Sequence, residues 1–325
     1  MAGKSLSRRK KIPLCLVTGG AGFIGSNLVD GLLAQGYRVR VLDNLSTGKI
    51  ENLEALPRIE FIRGDLRNDK DVRKAVRGVR YVFHMGAISN VPQSVEQPFL
   101  THEVNVTGTF RLLQASREAG VKRFVFTSSS SIYGETHKFP TTEADLPCPE
   151  SPYAASKIMG EYYCQNFSSL YGLETVALRY FNVFGPRQNP KSRYACVVPI
   201  FLKCFLDGDS PEVHWDGKQS RDFVYVDDVV AANLLAMKKT GISGEAFNIG
   251  SHSEARVLDC LTGIQKILGV KQVKAHHTPK RAGDVRRTFA DITKAKRMLG
   301  FRPTVPFAVG LRKTVAWFLK NPDRL

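Results

Sequence analysis

Acidic residues are in short supply in this chain. Its 325 residues include 30 Asp and Glu against 47 Lys and Arg, a formal net charge of +17. Such an excess raises nucleic acid or an anionic membrane surface as partners. The basic residues are scattered, however, apart from a basic tail over residues 1–10 that continues into Lys11. Zinc-finger spacing and an arginine-rich recognition helix are both missing, so no nucleic-acid partner is expected. No apolar run reaches the roughly 18–20 residues that span a bilayer, which excludes membrane insertion. The six cysteines (Cys15, Cys148, Cys164, Cys196, Cys204, Cys260) form no CxxC pair and no regular framework. They read as reduced, mostly buried thiols, and the chain as cytoplasmic. The basic start lacks the apolar segment of a secretory signal. The histidines fall at no metal-ligand spacing, and adjacent His276 and His277 would point to opposite faces of a strand, so no metal is expected. There is no repeat and no low-complexity tract.

What is present is a regular alternation. Strands are predicted at Ile12–Thr18, Arg38–Asp43, Ile59–Arg63, Val79–His84, Arg123–Thr127 and Thr175–Tyr180. Helices are predicted between them at Asn27–Gln35, Val104–Ala119 and Tyr153–Tyr171. Strand, helix, strand, repeated, gives an α/β fold with a doubly wound parallel sheet, whose ligands bind outside the carboxyl ends of the strands. After Gly185 the pattern changes to a polar loop over 186–194, then short strands mixed with helices at Val197–Leu206, Val226–Met237 and Arg256–Leu268. These form a smaller, mixed α/β C-terminal lobe.

Gly19, Gly22 and Gly25 follow the first strand and open a helix. Their spacing suits a tight turn, close approach of a pyrophosphate, and close packing of helix on strand, with the helix N-terminus facing the phosphates. Asp43 ends the second strand, where a carboxylate accepts from the ribose hydroxyls and repels a 2′-phosphate, so NAD is favoured over NADP. Arg38 and Arg40 alternate with the apolar face of that strand and are not assigned to a phosphate. Asp65, on the same rim, is either an acceptor for the adenine amino group or the N-cap of a helix over Leu66–Arg77. Tyr153 and Lys157 are four residues apart in a predicted helix and so share a face. An ammonium nearby favours phenolate and lowers a phenol pKa that starts near ~10. The serine-rich run Ser128–Ser131 follows the fifth strand at the sheet's carboxyl end, where a hydroxyl can share a substrate proton with Tyr153. His84, at a strand end, reads as structural.

The ordered set TGGAGFIG (18–25), DN (43–44), GD (64–65), SSSSIYG (128–134), YAASK (153–157), RYFNVFGPRQNP (179–190), SRDFVYVDDV (220–229), FNIGS (247–251) and RAGDVRRTFAD (281–291) resembles the extended short-chain dehydrogenase/reductase superfamily, in its nucleotide-sugar epimerase branch. The resemblance implies a Rossmann domain for NAD over 11–182 plus 222–250, and a nucleotide-sugar lobe over 183–221 plus 251–325. It implies Gly19, Gly22, Phe23, Ile24, Gly25, Asp43, Asn44, Asp65 and Leu66 around NAD, with Tyr153 and Lys157. Ser129, Tyr153 and Lys157 become the catalytic set, with Tyr153 as acid/base. Asn182, Arg221, Arg281 and Asp284 would hold a UDP-sugar, Arg221 on its diphosphate unless it pairs with Asp227 or Asp228. The implied reaction is inversion at sugar C4 through a transient 4-keto sugar. Relatives that eliminate water carry an Asp-Glu pair after the catalytic hydroxyl, whereas here Ser130 and Ser131 follow; that favours a 4-epimerase over a dehydratase, with a UDP-glucuronate 4-epimerase or decarboxylase as the other enzyme reading. Thr288 falls at the position that gates the sugar pocket, and a small residue there implies tolerance of UDP-N-acetylglucosamine beside UDP-glucose. A regulatory or RNA-binding protein on the same fold is the non-enzyme alternative. A homodimer through the helices at Val104–Ala119 and Tyr153–Tyr171 is also implied. Two departures from the pattern stand out: Met85-Gly86 after His84, and Trp215 where a glycine is usual before Asp216-Gly217.

Overall fold

In the computed structural model the described residues are 12–53, 58–190, 197–270, 275–280 and 285–325. The basic tail, Cys196, Arg281 and Asp284 lie outside them.

Seven parallel strands form the central sheet: β1 (Leu14–Thr18), β2 (Arg38–Asp43), β3 (Ile59–Arg63), β4 (Tyr81–His84), β5 (Arg123–Ser129), β6 (Glu174–Tyr180) and β11 (Glu245–Ile249). Their spatial order is β3-β2-β1-β4-β5-β6-β11, so the chain reverses direction of travel between β1 and β4. Crevices at such a reversal bind ligands. Alternation within the strands explains why helices cover both faces. Cys15, Val17, Val39, Val41, Phe83 and Val125 pack one way, against α1 (Phe23–Ala34) and α8 (Val226–Lys238). Leu14, Leu16, Leu42, Val82, Phe124 and Phe126 pack the other way, against α2 (Asp69–Val76), α5 (Gly108–Glu118) and α6 (Pro152–Tyr171). Strands buried on both faces read as continuous apolar runs, which is why they were legible. A third core, around Phe184, Phe201, Phe205, Ile264, Leu311 and Phe318, joins α7 (Val197–Asp207), α9 (Val257–Leu268) and α10 (Phe307–Lys320) in the C-terminal lobe.

Several expectations shift. The first helix begins at Phe23 rather than Asn27, because the glycine loop leads straight into it. The helix expected over Val104–Ala119 is a π-helical turn over Glu103–Thr107 followed by α5, and a further helix that was not expected, α4 (Pro98–His102), leads into it. α3 (Val91–Glu96) and α10 were not expected. Short pairings complete the lobe: β7 (Asn182–Phe184) with β10 (Phe223–Tyr225), β8 (Glu212–His214) with β13 (His276–Thr278), and β9 (Ser220–Arg221) with β12 (Ala255–Arg256). Among the described residues no helix is long and apolar enough to cross a membrane.

Candidate active site

At the end of β1 the chain turns through the glycine loop into α1. Gly19 sits at φ +66°, in the left-handed region, and a Cβ there would come within 2.7 Å of the Gly86 backbone nitrogen. A Cβ on Gly25 would strike the Gly19 carbonyl oxygen. Gly22 is less constrained, with φ −78° and space for a Cβ 3.2 Å from that oxygen. As N-cap of α1 it offers no side chain to the first-turn N–H groups of Phe23, Ile24 and Gly25, which leaves the helix end suited to a phosphate. This cradle fits the pyrophosphate of a dinucleotide.

The rim residues are braced by protein partners. Asp43 is buried; its Oδ2 accepts from the Ala21 N–H at 2.9 Å and its Oδ1 from the Leu45 N–H at 2.8 Å, tying β2 to the glycine loop. Asp65 accepts from the Arg67 guanidinium at 3.0 and 2.9 Å and from the Asn44 amide at 2.9 Å. The Arg67 bond holds its carboxyl well below the usual carboxylate range. The N-cap alternative for Asp65 is overturned. Its carboxylate turns to Arg67 while Leu66 is buried, and α2 starts later, with the Asn68 side chain accepting from the Lys70 N–H. Arg38 and Arg40 are both held by Glu60 on β3.

Three successive residues of β5 meet α6. Lys157 Nζ donates to the Thr127 carbonyl at 2.8 Å, Ser128 Oγ donates to Glu161, and the Ser129 hydroxyl hydrogen-bonds the Tyr153 phenol. The helix starts where the sequence dictates: Ser151 accepts from the Ala154 N–H and Pro152 occupies the first turn. Ser131 adds its N–H and Oγ to the Ser129 oxygen at 3.2 and 3.0 Å. The expected catalytic set is thus brought together. Its electrostatics differ from expectation. Burial pushes the Tyr153 phenol up, and the group acting against burial is Ser129 rather than Lys157. The ammonium lies 5.7 Å from the phenol ring centroid and is committed to the Thr127 carbonyl. Burial pushes Lys157 itself down to about 8, opposed by the charge of Glu161.

His84 is structural, as read. Thr18 Oγ1 accepts from the Met85 and Gly86 N–H groups, so its own hydrogen goes to His84 Nδ1; Nε2–H then donates to Thr109, which donates to the Asn105 carbonyl. Burial, then the Lys157 charge, pushes the imidazole down to about 3.

On the opposite wall Asn182 Nδ2 donates to Thr288 Oγ1 at 2.9 Å, and the Asp222 N–H donates to the same oxygen at 3.3 Å. Arg221 Nη1 donates to the Ser220 carbonyl at 2.9 Å. Asp227 and Asp228, the alternative partners for Arg221, are engaged elsewhere. Asp227 pairs with Lys313, and Asp228 accepts from the Thr304 and Val305 N–H groups. Trp215 adopts the left-handed backbone a glycine would take, φ +63°, with Lys280 and Arg286 each 4.7 Å from its rings.

Two buried groups escaped the sequence reading. Asp222 accepts from Ser251, His252 and Ala290 N–H groups and binds the two sides of the lobe; burial pushes it up to about 6. Glu161 and Arg179 form an ion pair with both side chains almost fully enclosed. A charge at each of these positions interrupts an apolar run, which was the available signal.

The sequence signature of the NAD dependent epimerase/dehydratase family matches residues 15–250. The UDP-glucose 4-epimerase of Mycolicibacterium smegmatis is 42% identical over 310 residues, 93% of this chain and 97% of that protein. The structure of a UDP-N-acetylglucosamine 4-epimerase from Methanobrevibacter ruminantium in complex with UDP-N-acetylmuramic acid superposes with a TM-score of 0.91 at 38% identity, covering 96% of this chain and 99% of that one. The Thermus thermophilus UDP-glucose 4-epimerase in complex with NAD gives 0.87 at 40% identity, covering 94% and 99%. With the glycine cradle, the Ser129/Tyr153/Lys157 cluster and the sheet order already in place, these matches establish that the chain belongs to the NAD-dependent epimerase/dehydratase family.

Proposed function

We propose that this protein is a UDP-hexose 4-epimerase that accepts UDP-N-acetylglucosamine as well as UDP-glucose. The observation that carries the reading is the hydroxyl cluster at the end of β5. Ser129 touches Tyr153, and the two positions after it are Ser130 and Ser131, so no carboxylate pair stands ready for the second acid/base step that elimination of water needs. Epimerisation needs only the Ser129, Tyr153 and Lys157 set. Bound NAD supplies a reversible hydride acceptor. Tyr153 takes the proton of the sugar C4 hydroxyl and later returns it, Ser129 shares that proton, and Lys157 faces the nicotinamide ribose. Gly19, Gly22, Phe23, Ile24, Gly25, Asp43, Asn44, Asp65 and Leu66 frame the rest of the dinucleotide. Asn182 and Arg221 hold the UDP moiety; a guanidinium offers a fork of donors to diphosphate oxygens. The resemblance adds Arg281 and Asp284. The division falls between a dinucleotide domain of 11–182 plus 222–250 and a sugar lobe of 183–221 plus 251–325.

Thr288 supports the wider substrate range, because a threonine leaves room for an N-acetyl group where an aromatic ring would not. The Methanobrevibacter relative points the same way. Self-association is supported by apolar side chains left in solvent on adjoining helices: Phe99 of α4 is 74% exposed and Leu170 of α6 is 70% exposed. A second copy, related by a two-fold axis, would cover them.

The test is incubation of the purified protein with each UDP-sugar, without added coenzyme, followed by NMR. The expected products are the C4 epimers alone. Released carbon dioxide or an accumulating 4-keto sugar overturns the proposal.

A further inference from the structure

Lys157 is enclosed by Phe126, whose ring centroid lies 5.2 Å from Nζ, by the Tyr153 ring and by the neutral His84 of β4. A cation so enclosed is costly unless something opposes its loss of water. One turn further along α6 stands Glu161, also buried. Its carboxylate is saturated: Arg179 Nε reaches Oε1 at 3.0 Å and Oε2 at 3.2 Å, Nη2 reaches Oε2 at 2.7 Å, and the Ser128 hydroxyl donates to Oε1. Arg179 is in turn fixed by the Tyr133 hydroxyl at 2.7 Å, and Tyr133 donates to Asn248 Oδ1 at 2.6 Å. Asn248 Nδ2 donates to the Thr141 and Asp291 carbonyls, next to the segment that carries Thr288. One buried polar chain therefore joins the catalytic helix, the end of β5 and the sugar-side wall.

We infer that Glu161, braced by Arg179, is a positioning residue for the reaction. It locks the turn of α6 that carries Tyr153 and Lys157 against the end of β5, and its negative charge keeps Lys157 an ammonium. Ser128 is the linchpin of the first task, because the residue after it is Ser129. The other ionisable groups of this part of the core do not replace this charge. Tyr153, Cys164 and Tyr180 are held neutral by burial, His84 is neutral, and Arg179 is of the wrong sign. Only the activity arm of the test rests on the epimerase reading above.

The direct measurement is the titration of Lys157 by NMR of isotope-labelled lysine, with Lys157→Met to assign the signal. In Glu161→Gln the midpoint is expected to fall by about one pH unit, a roughly tenfold fall in the ammonium-to-amine ratio at a given pH. In the activity arm, kcat for UDP-glucose falls about tenfold near pH 8.5 and much less near pH 6.5, with KM within about twofold. Removing one partner of a buried pair can unfold a protein, so Glu161→Gln/Arg179→Gln, which strands neither charge, is measured alongside and is expected to shift the midpoint in the same direction. Ser128→Ala keeps the ion pair and is expected to lower kcat at every pH without moving Lys157. A Lys157 midpoint unchanged in the folded variants, or a Ser128→Ala protein with unaltered kcat, overturns the inference. A wild-type protein that epimerises no UDP-sugar defeats the functional proposal and leaves the titration result standing.

Discussion

At the scale of single residues, the site trades stability for chemistry. Lys157 is charged in a place that disfavours charge, and burial brings it from 10.5 to about 8. Because the folded pKa lies below the unfolded one, the unfolded chain binds more protons between these values. The folded state is penalised below pH 8, and the penalty fades as pH rises from 8 to 10.5. Lys157→Met is accordingly expected to abolish turnover while stabilising the fold at pH 7 by about 2 kcal/mol, a gain that shrinks towards pH 10 in urea unfolding. Thr288 gives the second residue-scale expectation. Thr288→Tyr should remove turnover of UDP-N-acetylglucosamine and spare UDP-glucose, read from kcat/KM for each; equal loss of both would refute the gate assignment. Motif chemistry made Ser129, Tyr153 and Lys157 legible, since spacing on one helix and one strand end is local information. Glu161 and Asp222 were not, because their partners come from sequence positions 18 to 68 residues away and no local pattern records such contacts.

Among the elements, legibility followed the same line. β2 and β3 fall where alternation and apolar runs predict, and α6 is placed within a residue, because capping by Ser151 and Pro152 marks its start. The π turn over Glu103–Thr107 could not be read, since one extra residue in a turn leaves composition and period almost unchanged. That turn matters: Asn105 within it holds the Ile88 backbone through both N–H and C=O and donates to the Ser156 hydroxyl, so it aligns the loop after β4 with the first turns of α6. The strand-to-helix turn at α1 is the other constrained element. Gly25→Ala puts a methyl into the Gly19 carbonyl, and the loop can yield only by moving the α1 end away from the phosphates. The purified variant is expected to carry less than about a tenth of the wild-type NAD content by absorbance and enzymatic assay, since one displaced phosphate cradle forfeits several charge-assisted bonds. Full NAD occupancy in Gly25→Ala would contradict the cradle assignment.

For the molecule as a whole, the charge excess that dominates the sequence dissolves into surface detail. Arg38 and Arg40 share Glu60, Arg73 spans Asp69 and Glu118, Arg286 takes Asp216 and Arg287 takes Glu254. Exposed pairs of this kind are screened by water and contribute little to stability. Their surplus instead gives the surface a positive field that favours approach of a doubly anionic sugar nucleotide. Apolar exposure is more informative than charge at this scale. Phe99→Lys and Leu170→Glu together are expected to convert a dimer into a monomer by light scattering, with NAD retained; a monomeric wild type would refute the dimer. β11 returns to the main sheet from beyond residue 240, so segments of the sheet and of the C-terminal lobe interleave in sequence.

That return of β11 has a consequence for synthesis. Ribosomes release the chain from its N-terminus, so β6 emerges with one long apolar edge and waits for Glu245–Ile249 to pair with it. During that interval the nascent sheet presents an unpaired strand of the kind that seeds aggregation, and α8, which covers one face of that sheet, is made only late in it. A nascent chain exposed outside the ribosome only as far as residue 240 should therefore engage a ribosome-associated chaperone that the same chain, exposed past residue 250, releases. Co-translational crosslinking at the two lengths would show it, and equal capture at both would exclude β11 as the closing step.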